Sequence, residues 1–99
     1  MMKSLAEIKA ILAEHKAELA EKYAVAEIGV FGSVVRGEAR DDSDVDLLVE
    51  FNKPIGLIKF IGLEFLLQDL LGVPKVDLVT RNALKPYIGQ YILREVQYV

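Results

Sequence analysis

Two short apolar runs, Val25 to Phe31 and Asp44 to Phe51, flank a small polar segment that opens on Gly32-Ser33, and this arrangement limits the fold more than anything else in the chain. The first run is partly β-branched and stops at the glycine-serine pair, as a buried strand entering a turn does. The second, DVDLLVEF, is again a strand, while Val34 to Ser43 (VVRGEARDDS) is polar and carries a glycine, which predicts one helical turn followed by a loop. If the two strands pair antiparallel, the end of the first lies beside the start of the second. Gly32-Ser33 then stands next to Asp44 and Asp46.

The remaining elements follow from apolar spacing. From Ser4 to about Lys22, the residues Leu5, Ile8, Leu12, His15 and Leu19 recur at three- and four-residue steps, predicting an amphipathic helix capped by Ser4. Ile55 to Leu71 predicts a helix that is apolar on most sides, with Gly72 as its C-cap. Val73 to Val79 (VPKVDLV) is a third strand, entered through a proline where a missing ladder donor is tolerable. Thr80 and Asn82 are candidate caps for a last helix with Pro86 in its first turn and an apolar stripe of Tyr87, Ile88, Tyr91, Ile92 and Val96. The expected fold is therefore α+β, a three-stranded mixed sheet flanked by helices in the order α-β-β-α-β-α. A single domain over residues 1–99 is expected, because 99 residues leave little room for a separate substrate domain.

Composition excludes several function classes. The chain has no cysteine, which removes disulfides, thiolate ligands and a cysteine nucleophile together. Its first residues, MMKSLAEIKA, mix acidic and basic side chains where a secretory signal needs an unbroken apolar stretch, and no run approaches a membrane span, so a cytoplasmic protein is expected. With 15 acidic against 12 basic residues and a net charge of −3, the surface is poorly suited to a polyanion, and a nucleic-acid partner is disfavoured.

The chemistry concentrates between Gly32 and Asp46. Side chains on a strand alternate faces, so Asp44 and Asp46 point the same way from α-carbons about 7 Å apart. Their mutual repulsion calls for a cation, and hard divalent ions prefer oxygen ligands, magnesium being the simplest candidate. At Gly32-Ser33 a strand gives way to a helical turn whose unpaired N–H groups, with the serine hydroxyl, can hold phosphate oxygens. Asp77 lies on a strand that follows a helical crossover and should run parallel to the second strand, bringing a third carboxylate to the same sheet end. Two metal ions about 4 Å apart can neutralise a triphosphate, activate an attacking oxygen and stabilise the leaving one.

Gly32-Ser33, ten residues, then Asp44-Val45-Asp46 resembles the signature of the DNA polymerase beta nucleotidyltransferase superfamily, with Asp77 matching its third catalytic aspartate. The further pattern of Arg36-Gly37, Ala39-Arg40 and Ser43-Asp44 is similar to the minimal nucleotidyltransferases of bacteria and archaea. This resemblance implies ATP as donor, two magnesium ions, release of pyrophosphate, and partnership with a HEPN-domain ribonuclease toxin. In that pairing the small protein is the antitoxin and adenylylates a tyrosine of the toxin. Asp44, Asp46 and Asp77 would be both catalytic residues and metal ligands, and Gly32 and Ser33 would bind the nucleotide. Two other outcomes stay open: a nucleotide-binding antitoxin that acts by contact without transfer, and transfer to a small molecule or an RNA end.

Other polar residues carry plainer expectations. Arg36 and Arg40 lie in the loop that faces the triphosphate, and one of them is a candidate phosphate contact. Asp41 and Asp42 are expected as turn residues, since alternation cannot place four acids on one face. His15 is expected as a partly buried packing residue on the first helix. So small a domain can hardly cover the Ile55 to Leu71 helix on all sides, which points to a protein partner or self-association there.

Overall fold

A computed structural model describes residues 3–84 and 86–99, and for 86–88 the backbone alone. Helix α1 (Leu5–Tyr23) starts at a reciprocal cap. The Glu7 N–H donates to Ser4 Oγ at 3.1 Å and the Ser4 N–H donates to Glu7 Oε1 at 3.0 Å, satisfying two of the donors a helix start leaves unpaired. Its inner stripe, Ile8, Leu12 and Leu19, is fully buried, and His15 on its flank is partly buried beside the Glu18 carboxylate.

Strand β1 (Val25–Phe31) runs to Gly32, where a single helical turn, α2 (Ser33–Arg36), turns the chain back toward β2 (Val45–Phe51). β1 and β2 pair antiparallel, with Phe31 opposite Asp46 at one end and Val25 opposite Phe51 at the other. Helix α3 (Leu57–Leu71) then crosses over and ends at Gly72, whose φ of 63° is the left-handed cap expected there. Strand β3 (Val76–Thr80) pairs parallel to β2, so the strand begins two residues past Pro74. Of Thr80 and Asn82, expected as caps of the last helix, Thr80 instead ends β3 at the start of a short 3-10 turn, Arg81–Ala83, and Asn82 lies within that turn, which ends in the extended Leu84. Helix α4 (Pro86–Glu95) opens on its proline, where the missing N–H costs nothing. The expected contributions of Tyr87 and Ile88 to its apolar stripe lie outside the described side chains.

Among the described residues the sheet has four strands, in the order β3-β2-β1-β4, where three were expected. The fourth, β4 (Gln97–Tyr98), pairs antiparallel to β1 at Gly29 and Val30. Val96, assigned from the sequence to the helical stripe, is the link between α4 and this strand. Gly29 permits the close approach, because a Cβ there would lie 2.6 Å from Val96 Cγ2 and 3.2 Å from Tyr98 Cδ1. A strand of two residues is decided by such tertiary fit and not by local pattern.

One sheet face is apolar through its centre. Ile28, Val30, Val45, Leu47, Val49, Val76 and Leu78 pack with Ile8, Leu12 and Leu19 of α1 and with Leu63, Leu67 and Leu71 of α3. Each fully buried leucine or isoleucine contributes roughly 1.5–3 kcal/mol. The four-residue step from Leu63 to Leu67 to Leu71 places one stripe of α3 inward. Other apolar residues of that helix face out beside Lys59, Glu64, Gln68 and Asp69, with Leu57 73%, Ile58 89% and Phe65 64% exposed. Among the described residues no helix is long and apolar enough to cross a membrane.

Candidate active site

The opposite sheet face carries the polar chemistry, at the end where β1 finishes and β2 and β3 begin. Gly32 adopts φ 79°, ψ −150°, a conformation that side-chain-bearing residues seldom take. Its carbonyl accepts from the Val35 and Arg36 N–H groups at 3.1 and 3.2 Å, closing the turn of α2. The N–H groups of Ser33 and Val34 come before any intrahelical acceptor, and with the serine hydroxyl they are the donors that the start of such a turn can offer a ligand. A Cβ on Gly32 would collide with Asp46 Oδ2. Glycine is thus required twice, for its backbone angle and for room beside the carboxylate.

The parallel register sets Asp46 directly beside Asp77, and Asp44 stands just before β2, two residues from Asp46 and so on the same face. All five expected site residues therefore gather at one sheet end, as the strand pairing expected from the sequence requires. Burial first, then the charges of Asp77 and Asp44, push the Asp46 carboxyl up to about 6, against the opposing pull of Arg36. Lys75 Nζ lies 3.7 Å from Asp44 Oδ2 in an exposed pair, a weak contact that a stronger cation would displace. Among the described residues no three such groups form a ready-made cage for one ion. Magnesium does not need one, since it is usually held by one or two carboxylates while keeping water and taking substrate phosphate oxygens. Hard oxygen donors crowded until one resists ionisation are a donor set that fits a divalent cation.

Two residues outside the expected set complete the cluster. Glu95, the last residue of α4, accepts from the Gly32 N–H through Oε2 and from Arg36 Nη1 through Oε1, both at 2.7 Å. Burial works against its charge, but the Gly32 N–H and the Arg36 guanidinium outweigh burial and hold its carboxyl below the usual range. Arg36 Nε donates to Glu38 Oε1 at 3.0 Å as well. Of the two loop arginines it is Arg36 that reaches the site. Arg40 sits in a closed turn, its N–H donating to Ser43 Oγ at 2.8 Å and its carbonyl accepting from the Ser43 N–H at 2.9 Å. Asp41 and Asp42 are exposed in that turn, as expected. No local pattern marks Glu95, which is 63 residues from Gly32 in the chain. A groove of about 600 Å³ lined by Val49, Phe51, Pro54, Leu57, Phe60 and Arg81 opens at the far end of β2, away from these groups.

Comparison with known proteins bears on the family and the fold. The nucleotidyltransferase domain family matches residues 12–99. The protein adenylyltransferase MntA of Thermococcus cleftensis is 56% identical over 99% of this chain and 98% of its own length. A solved structure described as a minimal nucleotidyltransferase superposes with a TM-score of 0.73 at 39% identity, over 91% of this chain and 93% of that one. A chain from the complex of tri-AMPylated Shewanella oneidensis HEPN toxin with MNT antitoxin superposes with a TM-score of 0.65 at 18% identity, over 92% of this chain and 70% of that one, a likeness of fold. With a family match that runs from within α1 to Val99 and a relative identical at more than half of its positions, the chain belongs to the nucleotidyltransferase family, among the minimal nucleotidyltransferases.

Proposed function

We propose that this chain, acting as a single domain over residues 1–99 in the cytoplasm, transfers AMP from ATP to a tyrosine hydroxyl of a HEPN-domain toxin and is that toxin's antitoxin. The observation that carries the reading is the register of β2 and β3, which aligns Asp46 with Asp77 beside the glycine turn. Support for the partner comes from the adenylyltransferase relative and from the fold shared with an antitoxin that was solved with its HEPN toxin.

In this reading Asp44 and Asp46 would ligate two magnesium ions and Asp77 one of them, and the ions would supply charge neutralisation on the triphosphate and a more acidic acceptor hydroxyl. The Gly32-Ser33 turn holds the β- and γ-phosphates through its N–H groups and the serine hydroxyl. Asp77 takes the proton of the acceptor hydroxyl. The acceptor oxygen forms a bond to the α-phosphorus while the bond from that phosphorus to the bridging oxygen breaks, and pyrophosphate leaves. Arg36 is the side chain placed to meet its developing charge.

A contact-only antitoxin remains the second reading, favoured by the exposed apolar side of α3, which offers docking area without chemistry. The same side is where we place any self-association. Intact-mass measurement of a HEPN partner incubated with this chain, ATP and magnesium separates the two readings. An adenylyl-sized increment that disappears with Asp44→Ala supports transfer. Toxin neutralisation that survives Asp44→Ala without any mass increment would give the function to contact alone.

A further inference from the structure

We infer that Glu95 is a positioning residue for nucleotide binding, presetting both the phosphate turn and the Arg36 guanidinium before ATP arrives. The inference rests on the nucleotide reading above and extends it to a residue at the far end of the chain. A single carboxylate grips two separate parts of the site. One oxygen accepts from the Gly32 backbone N–H and the other from Arg36 Nη1, each at 2.7 Å, within the short range of charge-assisted hydrogen bonds. The first contact holds the residue that must keep an unusual backbone angle beside Asp46. The second, together with the Glu38 contact to Nε, restrains a long side chain.

Glu95 could instead be imagined as a stand-in for phosphate that ATP must push aside. The way it is mounted argues against that. Only Val96 separates it from β4, which is paired to β1 at Gly29 and Val30. Beyond β4 the Val99 N–H donates to the Ile28 carbonyl at 3.0 Å, and the Val99 carbonyl accepts from Lys16 Nζ at 2.7 Å. A carboxylate one residue from a strand fastened to the centre of the sheet is fixed with that sheet and is not carried on a swinging lid. Nor does the grip exhaust Arg36. Of its five N–H donors, the contacts to Glu95 and Glu38 take one on Nη1 and the one on Nε. Among the described residues the other donors stay available to phosphate oxygens. Glu95 bonds the Gly32 N–H and not those of Ser33 and Val34, so its grip on the turn does not consume the donors assigned to phosphate.

The test measures MgATP affinity by calorimetry and steady-state transfer kinetics for the wild type, Glu95→Gln, Arg36→Gln and the double variant, with thermal unfolding of each in the absence of nucleotide. Glu95→Gln keeps the shape and removes the charge. It is expected to raise KM for ATP and the MgATP dissociation constant about tenfold, the scale of one weakened charged hydrogen bond, with a much smaller change in kcat and an unfolding midpoint close to wild type. Because one of the two Glu95 contacts runs through Arg36, the double variant is expected to lose less affinity than the two single losses added together. Tighter MgATP binding by Glu95→Gln would overturn the inference in favour of a competing carboxylate. Unchanged binding, or fully additive losses in the double variant, would also overturn it. If Glu95→Gln does not fold, Arg36→Gln decides through the other half of the contact, and unchanged MgATP affinity there sinks the inference. A wild type that binds no MgATP would remove the nucleotide reading itself, an outcome distinct from a failure confined to Glu95.

Discussion

Along β2 alternate residues live in different surroundings. Val45, Leu47 and Val49 are sealed among the helices, while on the other face Asp46 and Glu50 remain partly open on either side of the buried Leu48. β3 repeats the contrast, with Val76 and Leu78 inside and Asp77 exposed. One face holds the molecule together and the other collects charge that the fold would be more stable without. The period of two lets one short strand do both, because neighbours in sequence never share a face. The active face can thus carry repulsion as long as the apolar face outweighs it.

The sharpest way to break this division is to remove charge from the active face. Asp77→Asn is expected to lower adenylyl transfer at least about a hundredfold, the scale of losing a metal ligand's charge stabilisation, while leaving far-UV circular dichroism unchanged. Loss of the folded signal in that variant would show that the carboxylate face also supports the fold. On the other face, Leu47→Ala removes a fully buried side chain and should cost about 3 kcal/mol in urea unfolding. MgATP affinity of the remaining folded protein is expected to stay near wild type; a loss of affinity larger than the unfolded fraction explains would show that the two faces are not separable.

A smaller effect concerns pH. The Asp46 carboxyl is raised from its ordinary value near 3.8 to about 6 in the folded protein. Between those values the folded state binds more protons than the unfolded one, so stability falls as pH rises through this window and is flat above it. Asp46→Asn is therefore expected to raise the metal-free unfolding midpoint at pH 7 by a few degrees, since the site is partly open and solvent screens the repulsion. The same variant should abolish the stability loss between pH 4 and 6, whereas a lower midpoint would contradict the idea that this face is held under repulsion. Smallest in stability terms, Ile58→Glu on the exposed side of α3 should change the unfolding free energy by less than about 0.5 kcal/mol. It should nevertheless weaken binding to a HEPN partner or to a second copy, read by light scattering, and unchanged association would leave that face without a role.

Much of the molecule is legible in its sequence because the signals are local. Ser4 with Glu7 three residues on marks the start of α1, Gly72 marks the end of α3, and the apolar run Val25 to Phe31 gives β1 to the residue. The three aspartates and the glycine turn were legible too, because strand alternation and two short-range pairing rules suffice to bring them together. Glu95 and β4 were not. Their positions depend on Gly29 lacking a side chain and on contacts across most of the chain, and neither leaves a periodic trace. Arg36 lay between these cases: its place three residues after Ser33 put it in the right loop, but only Glu95 distinguishes it from Arg40 as the arginine that faces the site.

The strand order carries one more consequence. Among the described residues β4 closes part of the free side of β1, whereas β3 ends the sheet with no strand beyond it. A bare strand of this kind invites a neighbour's strand to add on, the first step toward aggregation. Here the exposed border is five residues long and has Asp77 within it and Lys75 just before it. Short length and charge are the features that discourage edge-to-edge growth. Substitutions that neutralise Asp77 are therefore expected to lower solubility as well as transfer.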